Sequence, residues 1–159
     1  MVRVTASNAP RLSVAALVAV KPGQRPRLIY RTHRRRRASR RKGLTEADYA
    51  ALLDAAHRQL GGPIVLVWDN LNTHVSTAMN ELIAARPWLT VYRLPPYAHE
   101  LNPVESVWAH LKRSLANLTK HTIAELTALV KTRLKRMQYR PGLLAGFLTS
   151  ARLEFTPLL

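Results

Sequence analysis

Two carboxylates in this chain sit where carboxylates are uncommon. Asp69 closes the apolar run PIVLVW at residues 63–68, and Glu105 ends the segment LNPVE at residues 101–105. An acid at the end of one strand and an acid in the first turn of the helix after the next strand share a sheet edge when the strands are parallel neighbours. Two or three such carboxylates make a hard, all-oxygen site suited to Mg²⁺ or Mn²⁺. A pair of these ions about 3.5–4 Å apart can activate a nucleophile and stabilise the leaving oxygen of a phosphodiester. Each residue also has a plain structural reading. Asp69-Asn70 can be an Asx turn after a strand. Asn102, Pro103 and Glu105 can be a helix N-cap, a first helical residue and a reciprocal capping partner. His74, four residues after Asn70, either points at the site or covers the sheet edge.

The elements that must position these acids follow from periodicity. Val2 and Val4 alternate and allow a short edge strand. Residues 12–20, LSVAALVAV, are β-branched and apolar, and pair through the turn Lys21-Pro22-Gly23-Gln24 with a strand at 27–32. Thr45, with Asp48 three residues on, opens a helix that ends at Gly61-Gly62. The continuous run at 64–68 predicts a strand buried on both faces. Val75, Met79, Leu82 and Ile83 mark one helix that stops before Pro87, and 89–94 form a further strand. Val104, Val107, Trp108, Leu111 and Leu115 share one helical face, which makes Trp108 a core residue. Thr122 and Glu125 cap a last long helix through Met137, with Lys131, Arg133, Lys135 and Arg136 on its outer face. The tail from Arg140 gives little signal. The order is that of a mixed α/β domain, with helix-linked strands parallel in one sheet.

At 159 residues the chain has the length of one domain. Its formal net charge of +16, from 25 Lys and Arg against 9 Asp and Glu, favours a polyanionic partner, above all nucleic acid. Seven of the eleven residues at 33–43 are basic: Arg34, Arg35, Arg36, Arg37, Arg40, Arg41 and Lys42. So dense a run repels itself and reads as a mobile loop. It can grip phosphates without reading sequence, or be a solvated charge run. With no cysteine, disulfides, thiol catalysis and cysteine-ligated zinc are excluded. No apolar run reaches the roughly 18 residues of a membrane span, and no signal-peptide layout is present.

VLVWDN with His74, followed by LPPYAHELNPVESVWAHLKR, resembles the catalytic domain of DDE transposases from bacterial insertion sequences related to mariner elements. The match lies on Asp69, Asn70, His74, Pro95, Pro96, Tyr97, Leu101, Asn102, Pro103, Glu105 and Trp108. It is tight over about residues 64–113 and looser upstream. The resemblance implies a ribonuclease H-like mixed sheet flanked by helices. It also implies metal-dependent DNA cleavage and strand transfer with Mg²⁺ or Mn²⁺, in the cytoplasm on the nucleoid. On that basis Asp69 and Glu105 are the second and third acids of a triad and the metal ligands. Asn70, His74 and Asn102 are supporting residues. DNA is the expected partner, with another transposase chain as a further one.

The sequence departs from that pattern at its start. Residues 1–45 contain no Asp or Glu, so no residue there can serve as the first acid. The expectation is therefore the C-terminal part of a transposase catalytic domain with the first strand missing. Its core motif is 63–118, and its last helix and tail are 119–159. Without that central strand, the hairpin and the 64–68 strand lose a shared neighbour, which Val2–Thr5 can fill only in part. Cleavage by this chain alone is expected to be negligible unless another polypeptide completes it. The alternatives are a non-catalytic DNA-binding or regulatory fragment and a remnant without a role.

Overall fold

A nine-residue strand, β2 (Arg11–Ala19), runs between two helical layers and sends alternate side chains into each. The structure, a computed structural model, describes residues 2–5, 11–35, 43–119 and 122–154. Leu12 and Val14 of β2 join one core with Val107, Trp108, Leu111, Val130, Leu134 and Leu144. Ala15, with Leu17 packed beside it, joins a second core with Tyr49, Leu52, Leu53, Leu66, Trp68 and Met79. This is the period-two alternation of a strand covered on both faces.

The neighbours of β2 are antiparallel. Strand β1 (Val2–Thr5) pairs with it only over Arg11 to Val14, whereas β3 (Arg27–Arg34) pairs with it from Leu12 to Ala19. The β2–β3 turn has Pro22 at its second position and Gly23 at φ +74° at its third, closed by the Gln24 amide on the Lys21 carbonyl at 3.0 Å. Strand β3 continues two residues past the expected Thr32, and Arg35 donates its amide to the Arg11 carbonyl at 2.8 Å.

Helix α1 (Glu46–Leu60) starts as the capping pattern predicts: Asp48 Oδ2 accepts from the Thr45 amide at 2.8 Å. The other oxygen of Asp48 accepts from Arg31 Nε at 3.1 Å and fastens α1 to β3. At the far end Gly61 takes the left-handed conformation, φ 64°. There Lys21 Nζ and Arg27 Nη1 donate to the Leu60 and Gln59 carbonyls at 2.7 and 2.8 Å. Cations on the last carbonyls suit the negative end of the helix. They also set the far end of β2 beside the start of the next strand.

That strand, β4 (Ile64–Trp68), pairs in parallel with β5 (Leu89–Arg93), from Ile64↔Leu89 to Trp68↔Arg93. Burial on both faces is not observed. Leu66 and Trp68 are buried, but Val65 and Val67 are 67% and 51% exposed. The layer of α4 (Pro103–Leu115), α5 (Ile123–Gln138) and α6 (Pro141–Ser150) packs on β2 and β3, leaving the outer face of β4 uncovered. Nor do the strands form one sheet: β1-β2-β3 and β4-β5 are separate hydrogen-bonded units. The helix expected between β4 and β5 is two, α2 (Asn72–Val75) and α3 (Thr77–Ala84). Ser76 lies between them at φ −66°, ψ 155°, and its hydroxyl oxygen accepts from the Met79 amide at 3.1 Å, which favours a fresh helix start. Arg86 grips Asp54 through two hydrogen bonds of 2.7 and 2.8 Å, tying the end of this segment to α1.

Helix α6 is the element the sequence left unread. Pro141 occupies its first turn, and Leu144, Phe147 and Leu148 are buried. Leu144→Ala is expected to destabilise the protein by about 3 kcal/mol in urea unfolding, the usual cost of a large-to-small change in a closed core. A loss below about 1 kcal/mol would place α6 outside that core.

Candidate active site

Asp69 follows directly on β4, at the carboxyl end of the strand. Its Oδ1 accepts from the Leu71 amide at 3.1 Å, so the Asx turn is real. The same oxygen lies 2.8 Å from His74 Nδ1. The Asp69 backbone carbonyl is also within 3.2 Å of Nδ1. Both partners are acceptors, so Nδ1 carries the proton and donates. The imidazole is clamped as well as bonded. It stacks on Trp68 at 4.0 Å with a 3° interplanar angle, and meets Tyr49 edge-on at 4.9 Å. His74 therefore both faces the acid and covers the sheet edge, and it is buried. Its Nε2 is buried without a hydrogen-bond partner among the described residues.

The electrostatic result is a carboxylate held charged. The hydrogen bond from His74 lowers the Asp69 pKa to about 2, against a smaller upward push from burial, with the Leu71 amide helping. Both bonds fall on Oδ1, and Oδ2 accepts none among the described residues.

Asn70 is exposed, and its Nδ2 donates to the Leu94 carbonyl at 3.0 Å. That bond joins the loop after β4 to the chain leaving β5, and so couples the two motifs. Beyond Pro95-Pro96, Tyr97 adopts φ 64°, uncommon for a residue with a side chain, and is 92% exposed. A single 3-10 turn, His99–Leu101, then leads to Asn102. Asn102 Oδ1 accepts from the Val104 amide at 3.2 Å and caps α4, with Pro103 at its first position. The reciprocal half of a capping box, present in α1 and α5, is not made here. The Glu105 carboxylate is exposed and has no partner among the described residues, although it sits in the first turn, where the helix dipole favours an anion. Local capping thus explains Asn102 and Pro103 but not Glu105.

Asp69, His74, Asn102 and Glu105 line one cavity of about 470 Å³. Trp108, 3% exposed, packs in the core beneath it. Among the described residues, no group of three or more His, Asp or Glu could hold a metal ion, and Asp69, His74 and Glu105 do not make one. Of the basic run, Arg34 ends β3 and Arg35 follows it, while Arg36, Arg37, Arg40, Arg41 and Lys42 lie outside the described residues. Sequence reasoning did not foresee the aromatic clamp. Trp68 and Tyr49 read there only as apolar positions, and nothing in their spacing pairs them with His74.

His74→Phe keeps a flat ring against Trp68 but removes the Nδ1 donor. The Asp69 pKa is then expected to rise from about 2 toward the ordinary carboxylate range, read by a carboxyl-carbon NMR titration. Because the folded pKa is depressed, the stability this bond adds is complete above the unfolded pKa and is lost as pH falls through about 2. An unchanged Asp69 titration would remove His74 from this role.

The sequence model of the DDE superfamily endonuclease family matches residues 28–130, a span that holds both acids and more than half of the chain. No curated protein matches it. Among solved structures, the Mos1 transposase paired-end complex with left transposon end is similar in fold, with a TM-score of 0.54, 91% of this chain covered and 13% identity. The chain spans 56% of that transposase chain. The mixed α/β, ribonuclease H-like layout expected from the sequence is the one observed. Among the described residues, no helix is long and apolar enough to cross a membrane. Members of the family generally use divalent metal ions. The chain belongs to the DDE superfamily endonucleases.

Proposed function

We propose that this chain is part of a transposase catalytic domain acting on DNA, with Asp69 and Glu105 as two of the acids of its metal site. One observation carries the reading: both carboxylates line the same cavity, and neither is used up by local structure. The donor set fits Mg²⁺ or Mn²⁺ in kind, being two carboxylates with Asp69 Oδ2 unengaged, but falls short in number. When bound, such an ion supplies Lewis-acid assistance at a phosphodiester. The residues of the chain do the rest. His74 keeps Asp69 ionised and fixed in direction. Asn70 holds the Asp69 loop against the Pro95-Pro96 loop. Asn102 fixes the start of α4 and so the position of Glu105.

The fit to DNA rests on charge and placement. The far end of β2 lies by the start of β4, so Asp69 at the end of β4 and the exit of β3 at Arg34 lie toward the other end of the two sheets. The basic run Arg34, Arg35, Arg36, Arg37, Arg40, Arg41 and Lys42 leaves from there and serves as a phosphate grip. Tyr97, 92% exposed in the loop between β5 and α4, offers a flat ring for an unstacked base. The core motif 63–118 and the segment 119–159 act as one unit. Another transposase chain is the natural partner, and the bacterial nucleoid the natural place.

A second reading is favoured by the lack of a third acid among the described residues: a DNA-binding chain that modulates a transposase without cutting. Metal binding and cleavage separate the two. Mn²⁺ is expected to broaden the NMR signals of the Asn70 and Glu105 amides at millimolar concentration, and Asp69→Asn or Glu105→Gln to abolish this. Nicking of transposon-end DNA by the chain alone is expected to be negligible. Nicking lost in Asp69→Ala would show a complete catalyst, and the absence of Mn²⁺ broadening would favour the non-catalytic reading.

Neutralising Arg34, Arg35, Arg36 and Arg37 to Gln is expected to flatten the slope of log affinity against log salt by about 0.9 for each phosphate no longer neutralised. A slope equal to that of the wild type would leave the run a solvated surface.

A further inference from the structure

A second opening lies at the β2–β3 turn, away from the two acids. It is a cleft of about 450 Å³ between Gln24, Arg25, Pro26 and Arg27 on one side and Tyr139 and Pro141, at the α5–α6 junction, on the other. Lys21 ties this end of the fold to the last turn of α1, beside the start of β4, whereas Asp69 follows the end of β4. The walls of the cleft are braced. Arg27 donates to Gln24 Oε1 and to the Gln59 carbonyl, both at 2.8 Å, and Gln138 Nε2 donates to the Leu28 carbonyl at 2.7 Å. Two groups are left over. Arg25 is exposed and has no partner among the described residues, and the Tyr139 side chain is 76% exposed.

Positive charge leads away from the cleft along α5. Lys131, Lys135 and Tyr139 recur every four residues, and Arg136 and Arg140 repeat that spacing one position on, so they form two rows on one helical face. All five are exposed, and none of the four cations has an acid partner among the described residues. Residues 1–45 and 126–153, which supply both walls and most of α5, contain no Asp or Glu. The Gln138–Leu28 bond sets the end of α5 against the start of β3, so the rows run into the cleft. Successive cations along a row stand about one turn, 5.4 Å, apart.

Rows of cations that end at an unpaired guanidinium and an open aromatic face have both complements in one ligand, phosphates and an unstacked base. A duplex offers the phosphates but keeps its base faces stacked, and an acidic polypeptide offers charge without a ring at each step. The geometry points to a binding surface for single-stranded DNA, with phosphates along Lys131, Lys135, Arg136 and Arg140 and one base laid on Tyr139 beside Arg25. Neither Asp69 nor Glu105 takes part, and no metal is required.

The probe is an oligothymidylate of about eight nucleotides, a length within the usual span of such surfaces. It is titrated into the full chain without divalent metal and followed by amide NMR. Saturable shifts are expected at Arg25, Lys135 and Tyr139, positions remote in sequence from the basic run at 34–42. Tyr139→Ala should weaken the binding read at Arg25 about tenfold or more, and Tyr139→Phe should keep it. No shift at these residues while others respond overturns the proposal, and so does Tyr139→Ala binding like the wild type. Equal displacement by polyphosphate, an anion without bases, reduces the surface to a charge patch. Tighter binding there of a duplex of the same length, or of an oligouridylate, assigns a different nucleic acid. Each of these results also overturns the proposal.

Discussion

One strand serving two cores is the constraint from which the rest of the molecule follows. Leu12 and Val14 belong to the layer of α4, α5 and α6, while Ala15 and its odd-numbered companions belong to α1 and the β4–β5 unit. A slip of one residue in pairing would exchange the two sets and empty both cores. Register is therefore held at several points. The Pro22-Gly23 turn fixes the β2–β3 hairpin, Lys21 and Arg27 bind the end of α1, and Gln138 Nε2 of α5 donates to the Leu28 carbonyl at 2.7 Å. The small residues of β2 belong to the same design, since Ala15, Ala16 and Ala19 let helices approach from either side.

Strong local chemistry was legible in the sequence. The capping boxes at Thr45 and Thr122, the αL stop at Gly61, the hairpin turn and the core role of Trp108 all follow from short-range rules, and the structure agrees. What was misread depended on distant partners. The run IVLVW is apolar throughout, so period alone could not tell that no helix would cover Val65 and Val67. The Ser76 break was hidden because Val75 and Met79 keep helical spacing across it. Helix α6 was hidden by Gly142 and Gly146, which lower helical propensity although Leu144 and Phe147 bury well. At the site, both acids were singled out by rarity and placement, and their roles were drawn from the family resemblance. Their difference in state was not legible, because it depends on His74 being wedged between Trp68 and Tyr49.

That difference is physically informative. Asp69 is half-buried and pinned, with one oxygen bonded and a pKa near the floor of the carboxylate range. Glu105 is exposed and unengaged at a helix start. On the proposed reading, one acid is pre-organised and the other free to adjust, a division suited to a cation whose coordination shell closes as it binds. The net charge of +16 favours a polyanionic partner in general.

The two cores also differ in when they can form. The one beside α1 and β4 draws its residues from the chain up to about Val91. The one beside α4, α5 and α6 needs Phe147 before its wall is closed. During synthesis the first can therefore consolidate while Leu12, Val14 and Leu28 still wait, with one flank wet, for helices not yet made. The nascent chain passes through a stage with half a sandwich built, and it is then that a chaperone would have most to hold.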